Sequence, residues 1–301
     1  MKTKGFISTL IIFLTILMSA CTNGVPTTPT IQMLTEPAQT LAPADSLTLA
    51  DFNNSEIYCP QSQKTVLLTD GKFEGGSGAD YLVAQLLPQA AFGDINGDGS
   101  EDAVLLLAEN MGGSGTFVSL IGLVASGNGF TQVPAVLVDD RPLINSLTLD
   151  GNKIVLDADI HGVNDLAVSP SMKVVEQYQL YNGNLTLVKF DSTISDAARS
   201  ISIDAPDAGQ EVTNTVELKG SMPIAPFENT LKYTIYDETG AVLDEGAFMV
   251  IAADMGAPAT FDNALALPQV ASGTKLRIEL KEVSMADGST LCLNSVEVVV
   301  K

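Results

Sequence analysis

One stretch of the sequence combines residue types and a spacing that suit a metal ion. Residues 94–102 read DINGDGSED, so oxygen-bearing side chains recur at alternating positions of a short loop. Calcium takes roughly six to eight oxygen ligands, and alternating side chains of a tight loop can converge on one point. The sequence therefore predicts a calcium site with these ligands: Asp94, Asn96, Asp98, the carbonyl of Ser100, and Asp102.

The residues that follow separate this loop from an EF-hand. An EF-hand has a glutamate at the twelfth position, whereas this chain has Leu105 within an apolar run typical of a strand. With Phe92 and Gly93 before it, the loop resembles the calcium loops of FG-GAP-type repeats in integrin-like propellers, and this resemblance implies the same ligands. A propeller needs several copies and one is visible, so no propeller is predicted. A solvated acidic turn is the alternative.

Other residues whose side chains could take part in catalysis are explained equally well by ordinary structural roles. His161, the only histidine, stands beside Gly162 at the end of a predicted strand, which is typical of a loop histidine. Asp157 and Asp159 share one strand face, and paired carboxylates can cleave glycosides, but solvated strand acids fit the same pattern. Neither a nucleophile elbow nor a zinc motif occurs. A carboxylate-dependent hydrolase in residues 45–195 is therefore kept as the alternative function.

The start of the chain has the pattern of an export signal. Lys2 and Lys4 precede an apolar stretch over residues 6–17, and Ser19-Ala20-Cys21 follows. These residues resemble the lipobox of bacterial lipoproteins, although Met18 stands where leucine is usual. The resemblance implies removal of residues 1–20 and a lipid on Cys21 that anchors the protein to the membrane outside the cytoplasm. The alternatives are ordinary signal cleavage and an uncleaved anchor, although the apolar run is short for a membrane span of roughly 20 residues. Residues 21–44, rich in Thr and Pro, predict an extended tether.

Charge narrows the range of partners. The first 20 residues hold Lys2 and Lys4 and no acid, which leaves 13 basic residues against 36 acidic ones, a net charge of −23. Nucleic acid is excluded as a partner because binding to phosphates needs basic clusters, and the sequence has none. Two cysteines remain besides Cys21. In an exported protein, Cys59 and Cys292 could form a disulfide or stay as buried free thiols.

Periodicity predicts a β-rich domain over residues 45–195. Ile154, Leu156 and Ala158 alternate with polar residues, as in a strand with one buried face. Asp70-Gly71 after an apolar run predicts a hairpin turn, and a second is predicted around Asn182-Gly183. The run at 103–108 predicts a strand buried on both faces. One short helix is expected near residues 45–53.

Residues 199–301 predict a separate β-sandwich. Short alternating strands, such as the one through Leu276, Ile278 and Leu280, recur over roughly 100 residues, a spacing typical of the immunoglobulin architecture. The segment resembles the immunoglobulin-like domain associated with bacterial spore germination proteins, and the matching stretches are residues 201–206, 209–212, 216–220, 227–231, 236–240, the segment around Phe261, and 284–288. A Trp common in that family is missing. The resemblance implies an accessory or adhesive role and brings no catalytic residues.

Together these observations predict a mainly all-β fold with an N-terminal β-rich domain, one calcium-type loop and a C-terminal immunoglobulin-like sandwich. The function predicted is a non-enzymatic binding or structural accessory protein of the bacterial cell envelope. Its partners would be the membrane, through the lipid on Cys21, and an envelope protein or glycan. Calcium is the expected cofactor.

Overall fold

The computed structural model describes residues 46–127 and 129–301, and in that part of the chain strands dominate. The described helical segments are single 3-10 turns at Leu49–Phe52, Gly78–Asp80 and Phe227–Asn229. The first of these is the short helix expected near the start of the β-rich region. The prediction of a mainly all-β fold is confirmed.

Near the start of the described residues, a small antiparallel hairpin covers one face of a larger sheet. Its strands are β1 (Glu56–Cys59) and β2 (Lys64–Leu67). The larger sheet has six strands in the order β3-β4-β5-β6-β7, and β8 also pairs with β6. The bounds are Lys72–Gly75 for β3, Leu82–Gly93 for β4, Asp102–Asn110 for β5, Phe117–Ser126 for β6, Gly129–Gln132 for β7 and Val136–Asp140 for β8.

Strand β5 is buried on both faces, as the apolar run in its sequence predicts. Leu105 and Leu107 pack under the β1–β2 hairpin with Phe52 and Ile57. The alternate residues of the same strand, Val104, Leu106 and Ala108, face a second core on the other side of the sheet. The six-stranded sheet is therefore the middle layer of the N-terminal segment, which is the name used below for residues 46–195.

The second core is closed by strands from a ten-stranded sheet. The strands that the N-terminal segment contributes are β9 (Leu143–Asp150), β10 (Lys153–Ile160), β11 (Met172–Tyr181) and β12 (Asn184–Ile194). The short strand β13 (Ala197–Arg199) follows the segment and pairs with β12. Strands β11 and β12 form the hairpin predicted around Asn182-Gly183, and both turn residues have positive φ, 47° and 75°. Ile154, Leu156 and Ala158 are buried in this core, which confirms the alternation of the sequence.

The C-terminal sandwich, residues 199–301, packs a four-stranded sheet against the remainder of the ten-stranded sheet. The order of the smaller sheet is β14-β16-β20-β19. Eight strands of the larger one follow the path β18-β17-β21-β22-β12-β11-β10-β9, and the other two lie off it, β13 paired with β12 and β15 with β22. The strands are β14 (Ser202–Ala205), β15 (Gln210–Val212), β16 (Thr215–Met222), β17 (Thr230–Tyr236), β18 (Val242–Met249), β19 (Ile251–Ala252), β20 (Ala259–Ala266), β21 (Lys275–Val283) and β22 (Thr290–Val300). The predicted immunoglobulin-like sandwich is confirmed.

The sandwich core follows the period-two pattern of its strands. Leu218 and Phe261 from the smaller sheet meet Leu231, Ile278 and Val298 from the larger one. Each buried aliphatic or aromatic side chain of this kind contributes about 1.5–3 kcal/mol relative to an exposed position. Burial of these side chains therefore favours the packing of the two sheets against each other.

The two segments have separate cores but share one sheet. Strand β22 pairs with β12 through Lys189↔Asn294 and Phe190↔Leu293. Leu293 packs with Phe190 in the second core, whereas its neighbour Cys292 packs in the sandwich core. Because successive side chains of a strand point to opposite faces, the two cores lie on opposite faces of the shared sheet at β22. The described residues 46–127 and 129–301 belong to one compact unit.

Within the described part of the chain, no helix has the length and apolar character needed to span a membrane. Cys21, the predicted lipid site, and the predicted signal and tether lie outside the described residues.

Candidate functional site

The acidic loop, residues 94–102, connects two long paired strands of the middle sheet. Strands β4 and β5 are antiparallel, and their last pair before the loop is Gly93↔Asp102. Gly97 and Gly99 have φ values of 81° and 87°, a region that side chains other than glycine rarely adopt. The sequence places its glycines where the turn requires them.

Backbone N–H groups of the loop surround the carboxylate of Asp94. The N–H of Gly97 donates to Oδ1 at 2.6 Å, and the N–H of Gly99 donates to Oδ2 at 2.8 Å. The N–H of Asp98 also donates to Oδ1 at 3.2 Å. Asp94 therefore organises the whole turn around its own side chain.

Asn96 and Asp98 extend this arrangement on the exposed side. Asn96 Oδ1 accepts from the N–H of Asp98 at 2.8 Å, and its amide donates to Asp98 Oδ2 at 2.9 Å. Asp98 Oδ1 accepts from the N–H of Ser100 at 2.7 Å. The hydrogen bond from Asn96, followed by that from Ser100, lowers the pKa of Asp98. Asp98 is thus held in the charged form that a cation would need.

Asp102 occupies a different environment from the other predicted ligands. Its side chain is fully buried. Oδ2 accepts from the N–H of Ile95 at 3.0 Å, and Oδ1 accepts from the N–H of Ala125 on β6 at 2.8 Å. The carboxylate therefore ties both ends of the loop to the neighbouring strand. Sequence spacing alone did not reveal this anchoring role.

The loop brings together oxygen atoms that could coordinate a cation, but in the described structure these oxygens accept hydrogen bonds from the loop's own N–H groups. Among residues 46–127 and 129–301, no group of three or more His, Cys, Asp or Glu side chains is arranged to hold a metal ion. Carboxylate, amide and carbonyl oxygens are nevertheless the donors that calcium prefers. Cation binding would require Asp94, Asn96 and Asp98 to exchange hydrogen bonds for coordination.

The cysteine pairing considered from the sequence is not formed. Cys59 and Cys292 are both buried free thiols. Cys59 packs beneath the β1–β2 hairpin and Cys292 packs in the sandwich core, so each is enclosed by a different cluster. Burial is the main cause that raises the pKa of both thiols, that of Cys59 to about 12. Both cysteines are therefore poor nucleophiles.

The carboxylates considered for a hydrolase lie on the open face of β10. Asn145 donates its amide to Asp157 Oδ1 at 2.9 Å and to Asp159 Oδ1 at 3.2 Å. Lys173 pairs with Asp159 Oδ2 at 3.3 Å. The two acids share a strand face as predicted, and their partners are those of an ordinary polar sheet surface.

His161 directly follows β10, as predicted, but it is more enclosed than a typical loop histidine. Its Nδ1 lies 2.7 Å from Asp139 Oδ2, and its side chain is 19% exposed. The hydrogen bond with Asp139 raises the pKa of His161. No motif marks this pairing, because Asp139 lies 22 residues earlier, on β8.

A buried arginine is the main feature that the sequence analysis missed. The guanidinium of Arg277 lies 4.1 Å from the ring centroid of Tyr236 and 5.7 Å from that of Tyr181, and it bonds to Glu279 at 2.9 Å. Alternation along β21 suggests that Arg277 and Glu279 face solvent. The β11–β12 hairpin, which carries Tyr181, partly covers this face and leaves a cleft of about 360 Å³.

Comparisons with known proteins give one match. No curated protein and no solved structure matches the chain. A family model does match within the C-terminal sandwich, over residues 200–289, and ends just before β22 begins. These residues match Gmad2, the immunoglobulin-like domain of bacterial spore germination.

Proposed function

We propose that the chain is a lipid-anchored, extracytoplasmic, non-enzymatic binding or structural accessory protein of the bacterial cell envelope. The observation that carries this proposal is the sequence around Cys21. Two lysines, an apolar stretch and Ser19-Ala20-Cys21 form a signal with a cysteine at the cleavage point. A lipid on that cysteine would tether the remainder of the chain to a membrane.

The folded part of the chain supports an accessory role. Residues 200–289 match an immunoglobulin-like domain, a type of fold that commonly serves binding or structural functions. Residues 22–44, with Pro26, Pro29, Pro37 and Pro43, would give the folded unit reach above the membrane surface. A net charge of −23 keeps the exported part away from anionic headgroups.

Replacement of the lipidated cysteine tests the anchor. Cys21→Ser removes the only thiol that lipid could reach at the cleavage point, so labelled fatty acid should no longer be incorporated and unprocessed precursor should accumulate. Cys59→Ser is the matched control, because that thiol is buried in a core and should not affect labelling. Normal fatty-acid incorporation and processing in Cys21→Ser would remove the basis of the proposal.

We propose further that the acidic loop binds calcium and thereby stiffens the N-terminal segment. Asp94, Asn96 and Asp98 would supply side-chain oxygens, and Ser100 its carbonyl. Asp102 would either close the coordination sphere, directly or through water, or hold the two ends of the loop. Affinity should be modest, about 10⁻⁴–10⁻³ M, as in other extracellular modules, since the bidentate glutamate of an EF-hand is missing.

A thermal melt of the full chain with calcium and with chelator tests this second proposal. At calcium about 100-fold above the dissociation constant, binding to the folded state adds about 2.7 kcal/mol. Asp98→Ala should remove the calcium-dependent rise in Tm. Asp237→Ala is a matched control, because Asp237 also accepts backbone hydrogen bonds in an exposed turn, from Thr239 and Ala241, and should leave that rise intact. A wild-type Tm that calcium does not change would reduce the loop to an acidic turn.

A further inference from the structure

The cleft at Arg277 lies between the β11–β12 hairpin and the face of β17 and β21 that points away from the sandwich core. Its volume is about 360 Å³, within the range of small-molecule sites. The hairpin, the end of β17 with the turn that follows it, and strands β21 and β22 contribute to its walls. We call it the arginine cleft. The acidic loop is not part of its lining.

The guanidinium of Arg277 is held in place before any ligand binds. Its Nη1 donates to Glu279 Oε2 at 2.9 Å, and its Cζ lies over the ring of Tyr236, 4.1 Å from the centroid. Tyr181 of the hairpin approaches Cζ to 5.7 Å. With only 8% of the side chain exposed, these contacts fix the plane of the guanidinium and the direction of its N–H groups.

Two nitrogen atoms of Arg277 keep their donors free. Nε and Nη2 form no hydrogen bond with a described residue, and neither of them is fully enclosed, so a molecule in the cleft can reach them. These two nitrogens lie side by side along one edge of the planar group. They present a fork of N–H donors that suits two neighbouring acceptor oxygens. Because a nearly buried charge is costly when its donors are unpaired, the fork favours acceptors from a ligand or from water.

The residues around the fork supply both donors and an acceptor. Lys281 Nζ lies 3.5 Å from Glu279 Oε1, so cations lie beside both oxygens of Glu279. Asp237 also lines the cleft, and its Oδ1 accepts the hydrogen bonds of its own turn. Its Oδ2 accepts none from the described residues and is not enclosed. Hydroxyl groups fit this lining because each of them can donate and accept.

The charges of the lining favour a neutral ligand. Arg277 and Lys281 carry two positive charges, and Asp237 and Glu279 carry two negative ones, so the described lining has no net charge. A ligand carboxylate on the fork would lie close to Glu279, which already occupies the other side of the same guanidinium. It would also approach a chain whose net charge is −23 once residues 1–20 are removed.

Apolar surface completes the cleft. Tyr181 and Tyr236 line it together with Leu187 and Leu293. A sugar ring combines C–H groups, which pack against aromatic and aliphatic side chains, with adjacent hydroxyl groups that accept and donate hydrogen bonds. The mixture of tyrosine rings, leucine side chains and a free guanidinium edge therefore matches a sugar better than a purely apolar molecule.

We infer that the arginine cleft binds a neutral sugar unit of a glycan, in which two adjacent hydroxyl groups accept hydrogen bonds from Nε and Nη2 of Arg277. This inference rests on the proposed binding role and gives that role a ligand class. It depends on neither lipidation nor calcium. A failed sugar titration therefore leaves the fatty-acid labelling of Cys21 and the calcium-dependent melt intact, and failure of either of those leaves the titration intact.

The chain has three arginines, so NMR can follow the Nε–H signal of Arg277 directly. The full chain, labelled with ¹⁵N, is titrated separately with the methyl glycosides of glucose, galactose, mannose and N-acetylglucosamine. We expect at least one of these neutral sugars to shift the Arg277 Nε–H signal saturably, and the backbone amides of Asp237 and Leu293 to follow the same curve. Methyl glucuronide, which differs from the glucoside by its carboxylate, should bind more weakly than that sugar.

Two variants separate recognition by the fork from the effect of charge. Arg277→Lys keeps the positive charge but loses the fork, so it should weaken binding by about tenfold or more, the effect of losing one hydrogen bond to a charged group. The amides of Asp237 and Leu293 report this affinity. Arg141→Lys is the matched control, because Arg141 pairs with Asp140 in the N-terminal segment, and it should bind like the wild type.

Three results would overturn the inference. The first is an Arg277 signal that none of the four neutral sugars shifts, which would mean that the fork holds water only. The second is tighter binding of the glucuronide, which would make Arg277 a carboxylate site. The third is unchanged affinity in Arg277→Lys. Because the titration reads the wild type, a variant that failed to fold would leave the first two results decisive.

Discussion

The middle sheet of the N-terminal segment and the sheets of the C-terminal sandwich bury their strands in different ways. Strand β5 is covered on both sides, so consecutive residues Leu105 and Leu106 belong to two different cores. In β17 of the sandwich, Leu231 is buried and the next residue, Lys232, is exposed. The N-terminal segment is therefore three layers deep, whereas the sandwich has two.

This difference determines how much of the strand arrangement in each region can be predicted from its sequence. A strand with one buried face shows strict alternation, which identifies both the strand and the face that points inward. A strand buried on both faces shows a continuous apolar run that identifies neither its partners nor its layers. The layer order of the N-terminal segment consequently emerges only from the structure.

Core substitutions on β5 and β17 should produce the largest changes in the free energy of unfolding, and they test whether the two strands are buried on two faces and on one. Leu105→Ala and Leu106→Ala should each lower the free energy of unfolding by about 2–5 kcal/mol, because each leaves a cavity in a different core. On β17, Leu231→Ala should cost a similar amount and Lys232→Ala less than about 0.5 kcal/mol. Urea denaturation of the full chain measures all four. A cost below about 0.5 kcal/mol for either β5 variant would contradict the three-layer arrangement.

A buried acid makes the N-terminal segment sensitive to pH. Glu176 accepts from the Tyr178 hydroxyl at 2.8 Å, and burial raises the pKa of Glu176 to about 7, with a further contribution from the charge of Asp139. By contrast, buried Glu282 of the sandwich has a cationic partner, Arg199, at 2.6 Å. Since the folded state holds the Glu176 proton more tightly, the stability that this group contributes is present below pH 4.5 and is lost as pH rises to about 7.

Glu176→Gln should remove this loss of stability. At pH 8 the variant should be more stable than the wild type by up to about 3 kcal/mol, and near pH 4 the two should be equal. Denaturation curves at several pH values measure the difference. Glu217→Gln, on an exposed position of β16, corrects for the change in net charge. Equal pH profiles for Glu176→Gln and the wild type would show that Glu176 is ionised in the fold at no cost.

A smaller loss of stability is expected from a substitution at Asp102, where the acidic loop joins the middle sheet. Both oxygens of Asp102 accept backbone hydrogen bonds in a fully buried position. Asp102→Asn replaces one acceptor by a donor that faces an N–H group, so the variant should lose about 1–3 kcal/mol of stability. The loss should appear with chelator present, because it does not depend on a cation. Asp150→Asn, at an exposed position, is the control, and equal melts for the two variants would rule out the anchoring role.

Local sequence patterns predicted elements better than they predicted pairing. Asp70 and Gly71 do form a turn, with φ values of 52° and 78°. The turn closes as predicted, with an antiparallel bridge between Thr69 and Lys72, but the pairing goes no further because β2 pairs with β1 and β3 pairs with β4. Turn residues fix the local change of direction, but the partners of short strands depend on distant segments of the chain.

The candidate sites also show that local sequence patterns do not predict contacts between distant segments. The acidic loop was found because its residues are contiguous, and the positions of Gly97 and Gly99 follow from their backbone conformation. Arg277 was missed because the hairpin that covers it lies almost 100 residues earlier in the chain. The contact between His161 and Asp139 was missed for the same reason, because no motif near His161 marks Asp139 as its partner.

The mass of the mature N-terminal peptide tests the central claim, a lipid anchor on an exported accessory protein, most directly. The chain would be expressed in a bacterium, purified from its membrane fraction, digested, and measured by mass spectrometry. The account predicts a first peptide that begins at Cys21 and carries a diacylglyceryl group. A first peptide that begins at Met1, or an unmodified Cys21, would contradict it.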